Sequence, residues 1–460
     1  MGARERGGRE GSLNSWAGDN GGRGVAGDEM NEHELIQEII EWVNSILVKE
    51  TCFQVAKYPV GIESCIQAVK SLLDIEKKDI TRMVGIFGIG GIGKTTLAKA
   101  IYKSIAFQFD DRCFLSDIKE TFGQTGGLIS LQKKLLSRIL GRSCLTIDNV
   151  DEGSTLIEQR LRLKRVLLVL DDVDQSVQLK KLVGKADWFG LGSRIIVTTR
   201  DENLLNKHQV LTYEVKELDC NEALQLFSYH AFDRDRPNDG HVEVTKAAVR
   251  YAGGLPLALV VLGSTLKGRD ILYWKSKLKE YKRIPHSDIQ NKLRISFDEL
   301  DENAQSIFLD IACFFKGENV EYVKKMLDSF GFISYSGIKE LKEKCLITES
   351  SSGSFIMHDL LQEMGRKIVK EESTRDPGKR SRLWFRKDVR TVRKGDMADD
   401  SSRKKSRSRT GRKPMRRWHW NHIMVGTCEK TQQKMVDGKA GAEEIGGALK
   451  ELGGSLSESP

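Results

Sequence analysis

Met83-Val84-Gly85-Ile86-Phe87 followed by Gly88-Ile89-Gly90-Gly91-Ile92-Gly93-Lys94-Thr95-Thr96 is the stretch from which the fold follows. The first five residues form a short apolar run ahead of glycine, the pattern of a buried strand. Leu97-Ala98-Lys99-Ala100-Ile101-Tyr102 then reads as a helix. Between them, Gly88, Gly93, Lys94 and Thr95 fill every fixed position of the phosphate-loop pattern G-x-x-x-x-G-K-[ST]. Glycines let backbone N–H groups turn inward around phosphate oxygens with no Cβ in the way. The helix N-terminus adds partial positive charge. Lys94 is placed to reach the β- and γ-phosphates, and the Thr95 hydroxyl to ligate Mg²⁺. The loop also spells Gly88-x-Gly90-x-x-Gly93, with Asp110 and Asp111 downstream, which is the dinucleotide fingerprint. Lys94 and Thr95 decide against it, because a pyrophosphate on a dinucleotide-binding turn needs neither an ammonium nor a hydroxyl there.

A chain of 460 residues has room for two to four domains, and its 39% apolar residues can build their cores. The formal net charge of +9 is uneven: nine Lys and Arg, with no acid, fall within residues 401–420 (Arg403, Lys404, Lys405, Arg407, Arg409, Arg412, Lys413, Arg416, Arg417). Without them the rest of the chain is neutral, so the basic balance says little about the folded body. Eight cysteines include no C-x-x-C pair, which argues against a zinc site or redox motif. Several stand in apolar runs, as Cys313 does in Ile311-Ala312-Cys313-Phe314-Phe315, and suit a reducing compartment. The N-terminus lacks a signal-peptide core, and the longest apolar run, Leu255 to Leu262, is far short of a membrane span.

Residues 1–29 are rich in Gly, Arg, Asp and Glu and are expected to be disordered. Residues 30–57 are expected to hold a linker helix, with Leu35, Ile39, Ile40, Val43 and Ile46 on one face. Tyr58-Pro59-Val60-Gly61 makes a turn before a helix from Ser64 to Leu73. A strand at Cys113-Phe114-Leu115 follows the loop, then helices at Leu128–Leu140 and Leu156–Leu163. Arg165-Val166-Leu167-Leu168-Val169-Leu170-Asp171-Asp172 is a continuous apolar run ending in two acids, the sign of a strand buried on both faces of a parallel sheet. Ser193-Arg194-Ile195-Ile196-Val197-Thr198-Thr199-Arg200 reads as another. Ligands of such sheets bind beyond the carboxyl ends of the strands, which puts Asp171, Asp172 and Arg200 beside the phosphate loop. One acid is suited to hold Mg²⁺ and the other to polarise a water, with Arg200 sensing the γ-phosphate. Beyond residue 215 the pattern turns helical, at Asn221–Phe232, Val242–Tyr251 and Leu257–Lys267. Short helices and a hairpin strand at Ser354–Met357 come next, with no repeat of 20–30 residues.

The order of Gly88–Thr96, Leu167–Asp174, Gly192–Arg200, Gly254-Leu255-Pro256-Leu257-Ala258-Leu259 and Met357-His358-Asp359 resembles the NB-ARC nucleotide switch of plant disease-resistance receptors. Asp174, the run Phe308–Phe315 and Ser381-Arg382-Leu383-Trp384 are similar to the class carrying an N-terminal TIR domain. The resemblance covers roughly residues 34–390. It implies an α/β fold, a P-loop NTPase parallel sheet (58–212) followed by a helical subdomain (213–288) and a winged-helix subdomain (289–372), with a linker at 373–394. It implies ADP, ATP and Mg²⁺ as cofactors. The nucleotide would be held by Val60, Gly61, Gly88, Ile89, Gly90, Gly91, Ile92, Gly93, Lys94, Thr95, Thr96, Arg200, Pro256 and His358. Thr95 and Asp171 would take the metal, Asp172 the catalytic role, and Asp359 the switch. The resemblance implies that the Val60-Gly61 backbone and Pro256 meet adenine and that His358 reaches the β-phosphate of ADP; Asp359 is then expected to hold the imidazole or the loop backbone in place.

The resemblance also implies an ADP/ATP-controlled switch of a plant intracellular immune receptor, cytoplasmic or nuclear, with slow hydrolysis resetting the ADP state. Self-association and full-length receptors are the partners it suggests; nothing suggests a membrane. The chain departs from the family at both ends. No TIR domain precedes Met30, no leucine-rich repeats follow residue 390, and from about Val392 the sequence is basic and then Gly/Ser/Glu-rich. A truncated or mis-spliced chain with a disordered tail at 395–460 is the expectation. Two rivals stay open: a ring-type ATPase with steady turnover, and a winged-helix nucleic-acid-binding protein that also uses the basic tail.

Overall fold

Five parallel strands, β1 (Arg82–Phe87), β2 (Asp111–Leu115), β3 (Val166–Val173), β4 (Arg194–Thr199) and β5 (Leu211–Glu214), form one sheet in the order β2-β3-β4-β1-β5. The computed structural model describes residues 55–141, 146–281, 284–385 and 387–392. The expected linker helix at 34–47, the expected disorder of residues 1–29 and the basic tail lie outside the described residues.

β3 shows why the apolar run makes a central strand. Leu167 and Val169 pack into one apolar core, while Val166, Leu168 and Leu170 pack into another on the opposite face. A period of two with both sets apolar can only be satisfied by a sheet covered on both sides. Helices Glu63–Leu73 and Lys94–Ile105 lie on the first face; Gly127–Leu140, Val150–Leu161 and Ser176–Leu182 lie on the second. Helix Val150–Leu161 begins six residues earlier than its apolar periodicity, expected from Leu156, indicates. Asn149 caps it by accepting from the Asp151 and Glu152 N–H groups, which satisfies two otherwise orphaned donors.

After β5 the chain is helical: Cys220–Phe232, Val242–Ala252, Pro256–Leu266, Ile271–Tyr281 and Ser287–Asp298. Asp219 and Glu222 form a reciprocal capping box at the start of the first. Gly253 and Gly254, both at positive φ, turn the chain into Pro256, the first residue of its helix. Helices Glu302–Asp310, Val320–Ser329, Ser334–Glu343 and Asp359–Glu372 follow. The antiparallel pair β6 (Thr348–Glu349) and β7 (Phe355–Ile356) precedes the last of them. The core on the Lys94–Ile105 face of the sheet is continuous with the cores of these helices, through Leu259, Leu293, Phe308 and Leu361. Sheet, helical segment and terminal segment are therefore packed as one body around the carboxyl end of β1.

Candidate nucleotide site

The phosphate loop bends where only glycine bends easily. Gly88, Gly91 and Gly93 have φ of 146°, 84° and 102°. The loop is also crowded from outside. A Cβ on Gly91 would lie 2.7 Å from the Leu257 Cβ, because the Leu257 N–H donates to the Gly91 carbonyl at 3.1 Å. The Pro256 helix is thus fastened to the loop by backbone. Lys94 is only 7% exposed. Its Nζ donates to the Gly88 carbonyl at 2.8 Å and the Ile89 carbonyl at 3.0 Å. Those dipoles do not neutralise a buried ammonium. Burial, and then Arg200 nearby, bring the Lys94 pKa from 10.5 down to about 7. An anion bound at the loop would supply the missing counter-charge.

Below the loop, β3 breaks register between Leu170 and Val173, and Asp172 adopts a left-handed φ of 58°. A bulge at a sheet rim re-aims side chains, and Asp tolerates that conformation better than bulky residues do. The result separates the two acids. Asp171 is buried and accepts from the Thr95 hydroxyl at 2.9 Å and the Thr198 hydroxyl at 2.6 Å. Burial pushes its carboxyl up, while the two hydroxyls work the other way. Asp172 turns outward, with a carboxylate oxygen 3.8 Å from the Arg200 Nε. A hydroxyl and a carboxylate in contact under a phosphate loop are the hard oxygen donors that Mg²⁺ accepts alongside phosphate. Among the described residues no cluster of three or more His, Cys, Asp or Glu forms a separate metal site. Arg200 is 8% exposed, and its Nη1 donates to the Lys292 carbonyl at 2.9 Å, so it bridges the end of β4 to helix Ser287–Asp298.

A cavity of about 230 Å³ opens on the far side of the loop, lined by Val60, Gly61, Gly93, Thr96, Leu97 and Pro256 among others. Its walls are mainly apolar, with the Val60-Gly61 backbone at the rim, as a flat base with a polar edge requires. The structure thereby brings Val60, Gly61 and Pro256 to one place. A second cavity of about 480 Å³ is shared by Gly88, Ile89, Cys345, His358 and Asp359.

His358 stands half-buried at the start of helix Asp359–Glu372. Its Nδ1 accepts from the Leu360 N–H at 3.1 Å, and its Nε2 lies 3.1 Å from the Gly253 carbonyl. A carbonyl can only accept, so Nε2 carries the proton and the ring is neutral. Burial, the largest influence, lowers its pKa. The imidazole is therefore held on the glycine turn before Pro256, where it borders the cavity it shares with Gly88 and Ile89. Asp359 does not hold the imidazole: its carboxylate pairs with the Lys316 ammonium and is largely exposed.

Residues 62–236 match the NB-ARC domain family, and residues 301–373 match the winged-helix domain described as disease resistance protein Roq1-like. The chain carries an NB-ARC domain and a Roq1-like winged-helix domain. It is 41% identical over 371 residues to the TMV resistance protein N of Nicotiana glutinosa, covering 79% of this chain and 32% of that protein. It is 44% identical over 327 residues to the disease resistance protein RUN1 of Vitis rotundifolia, covering 71% of this chain and 24% of that one. The chain thus spans between about a quarter and a third of these relatives' length. Among solved structures, a Walker-type ATPase of Pyrococcus abyssi is similar at a TM-score of 0.47 and 15% identity, covering 68% of this chain and 99% of that one, too remote to inform function. The NB-ARC P-loop fold implies nucleotide binding.

Several residues around the NB-ARC site carry no local sequence signal. Tyr58 stacks on Tyr229 with centroids 4.7 Å apart and meets His230 edge-on, closing the end of the base-sized cavity. Lys292 contributes a backbone carbonyl, which no side-chain motif announces. Cys345 of the winged-helix domain, in a left-handed turn, borders the same cavity as Gly88, and burial pushes its thiol up to about 12. Only contact across long sequence separations reveals them.

Proposed function

We propose that this chain is a nucleotide-controlled conformational switch serving plant disease resistance, closed with ADP and opened by ATP with Mg²⁺. The observation that carries it is the Arg200–Lys292 contact. Arg200, the arginine placed at the loop to suit a γ-phosphate, is already engaged with the segment that follows the helical region. A γ-phosphate competes for that guanidinium, so ADP and ATP differ in how they bias the packing of the winged-helix domain. A differential affinity of this kind is what any ligand-driven switch needs.

In this reading Gly88–Thr96 cradle the phosphates, and Val60, Gly61 and Pro256 enclose adenine. Thr95 and Asp171 hold Mg²⁺, which neutralises phosphate charge. Asp172 orients the attacking water, Arg200 senses the γ-phosphate, and His358 and Asp359 tie the winged-helix domain to the nucleotide state. Hydrolysis is slow and resets the switch. Residues 58–212, 213–288 and 289–372 act as the nucleotide-binding, helical and winged-helix units. The relatives' names supply the disease-resistance role, and self-association in a cytoplasmic setting belongs to the same reading. No helix among the described residues is long and apolar enough to cross a membrane. The test is chromatography of nucleotide released from denatured, purified chain. ADP in the unaltered protein and none in Lys94→Ala supports the reading; equal content in both refutes it.

A further inference from the structure

Asp201 directly follows Arg200 at the end of β4, and Asp174 directly follows β3. Both are joined to the terminal segment by side chains of alternating sign. Asp174 lies 3.7 Å from Lys119, Lys119 pairs with Glu299, Glu299 lies 3.3 Å from Lys344, and Lys344 lies 3.1 Å from Asp201. Asp174 and Asp201 follow the sheet strands β3 and β4, and Lys119 lies in the short helix Ile118–Phe122 that follows β2. Glu299 ends helix Ser287–Asp298, and Lys344 ends helix Ser334–Glu343. All five side chains are between 14% and 30% exposed. The adjacent cleft also presents Glu340, Glu343 and Lys339, the last 3.9 Å from Glu343, so Lys344 stands among Asp201, Glu299 and Glu340 with, among the described residues, no second base paired to those three acids but Lys119 on Glu299. Burial works to lower its ammonium, and Asp201 and then Glu299 more than reverse this, so it stays charged.

We propose that Asp174–Lys119–Glu299–Lys344–Asp201 is an electrostatic latch. It holds helices Ser287–Asp298 and Ser334–Glu343 on the carboxyl edge of the sheet and sets how long ADP is retained. This rests on the nucleotide-switch reading and adds the contact that times it. Arg200 and Asp201 are consecutive. A γ-phosphate that draws the Arg200 guanidinium from Lys292 also moves the neighbour that grips Lys344, so one ligand loosens both grips. Lys344 is the keystone, because removing it turns attraction into repulsion among Asp201, Glu299 and Glu340. Removing Glu299 breaks two pairs but also takes away one of the opposed acids.

The full chain tests this with Lys344→Gln and Glu299→Gln, each substituting a neutral polar side chain. Two quantities are read on each sample: hydrogen exchange of helix Ser334–Glu343, and the rate at which labelled ADP is lost. Lys344→Gln is expected to speed both about five-fold, the scale of partly exposed ion pairs acting together, and Glu299→Gln by less. The unaltered protein should lose ADP faster when salt rises from about 0.1 M to about 1 M, as the Debye length falls from about 10 Å to about 3 Å. Lys344→Gln should be nearly indifferent to that change. Unchanged exchange in Lys344→Gln, or faster exchange with unchanged ADP loss, overturns the latch. So does salt-independent ADP loss by the unaltered protein, a result that needs no variant to fold. Failure of ADP to bind at all would sink the underlying nucleotide reading instead, while the exchange measurement still reads the latch.

Discussion

Lys94→Met separates the cost of the phosphate-loop lysine to the fold from its value to the ligand. The protein's own groups leave the Lys94 ammonium short of counter-charge, with its pKa brought from 10.5 to about 7. At ~1.4 kcal/mol per pH unit this is a folding cost on the order of 5 kcal/mol. The sign follows from proton binding. Between pH 7 and 10.5 the unfolded chain keeps the proton that the folded chain has released. The cost is therefore fully present below pH 7 and is relieved as pH climbs toward 10.5. Methionine removes the buried charge and keeps the volume, but leaves the Gly88 and Ile89 carbonyls without their donor, at about 1.5 kcal/mol each. The net expectation after nucleotide is stripped is a gain of about 2 kcal/mol at pH 6, or about 4 °C in Tm for a body of this size. The gain should vanish by about pH 9. The same substitution should abolish stabilisation by ADP, which in the unaltered protein reaches about 2.7 kcal/mol at a hundred-fold excess over Kd. Thermal unfolding at pH 6 and pH 9, with and without ADP, checks all four values. A Lys94→Met chain that is less stable than the parent at pH 6 without nucleotide refutes the reasoning. So does one that still gains stability from ADP.

Above pH 7, ADP binding should take up close to one proton as Lys94 regains its charge, seen as a dependence of calorimetric heat on buffer ionisation enthalpy; no such dependence contradicts the Lys94 assignment. Asp172→Asn should slow single-turnover hydrolysis with ATP affinity nearly kept, whereas Asp171→Asn should lose Mg²⁺-dependent binding, since it is the Asp171 carboxylate that accepts from both the Thr95 and Thr198 hydroxyls; identical behaviour of the two rejects the division of roles. Gly91→Ala should destabilise by at least about 1–2 kcal/mol and loosen the Pro256 helix, because φ is 84° and the new Cβ would meet Leu257 at 2.7 Å; an unchanged Tm shows the loop can give way. Asp359→Val removes only an exposed ion pair to Lys316, about 0–1 kcal/mol of stability, yet should lower the ADP to ATP ratio of the purified chain; an unchanged ratio removes Asp359 from the switch.

How much the sequence discloses depends on whether a feature is local. The strand–loop–helix at Met83–Tyr102 is fixed by glycine geometry and short-range periodicity, and the structure has β1, the loop and the helix there. Continuous apolar runs mark β3 and β4 for the same reason. β5 escapes because Leu211–Glu214 is short and half-exposed, with no run of buried residues to announce it. The strand order places β1 between β4 and β5, and local patterning does not set such pairings. β3 continues through both acids to Val173 by way of a bulge, where the apolar pattern stops at Leu170. At the site, motif and strand-end position indicate that Thr95, Asp171 and Arg200 lie near one another, and the family resemblance indicates that Val60 lies near Pro256; the structure places them so. The role of Lys292 was not legible, since a backbone carbonyl leaves no trace in residue type. Nor was the Glu299–Lys344 pair, whose members are unremarkable surface residues until the terminal segment packs against the sheet.

Hydrogen exchange of the full chain, with ADP and with a non-hydrolysable ATP analogue plus Mg²⁺, tests the central claim most directly. The nucleotide-switch account predicts that the analogue raises exchange in helices Ser287–Asp298, Ser334–Glu343 and Asp359–Glu372, while strands β1, β3 and β4 stay protected. Equal exchange of those three helices with both nucleotides bound would contradict it.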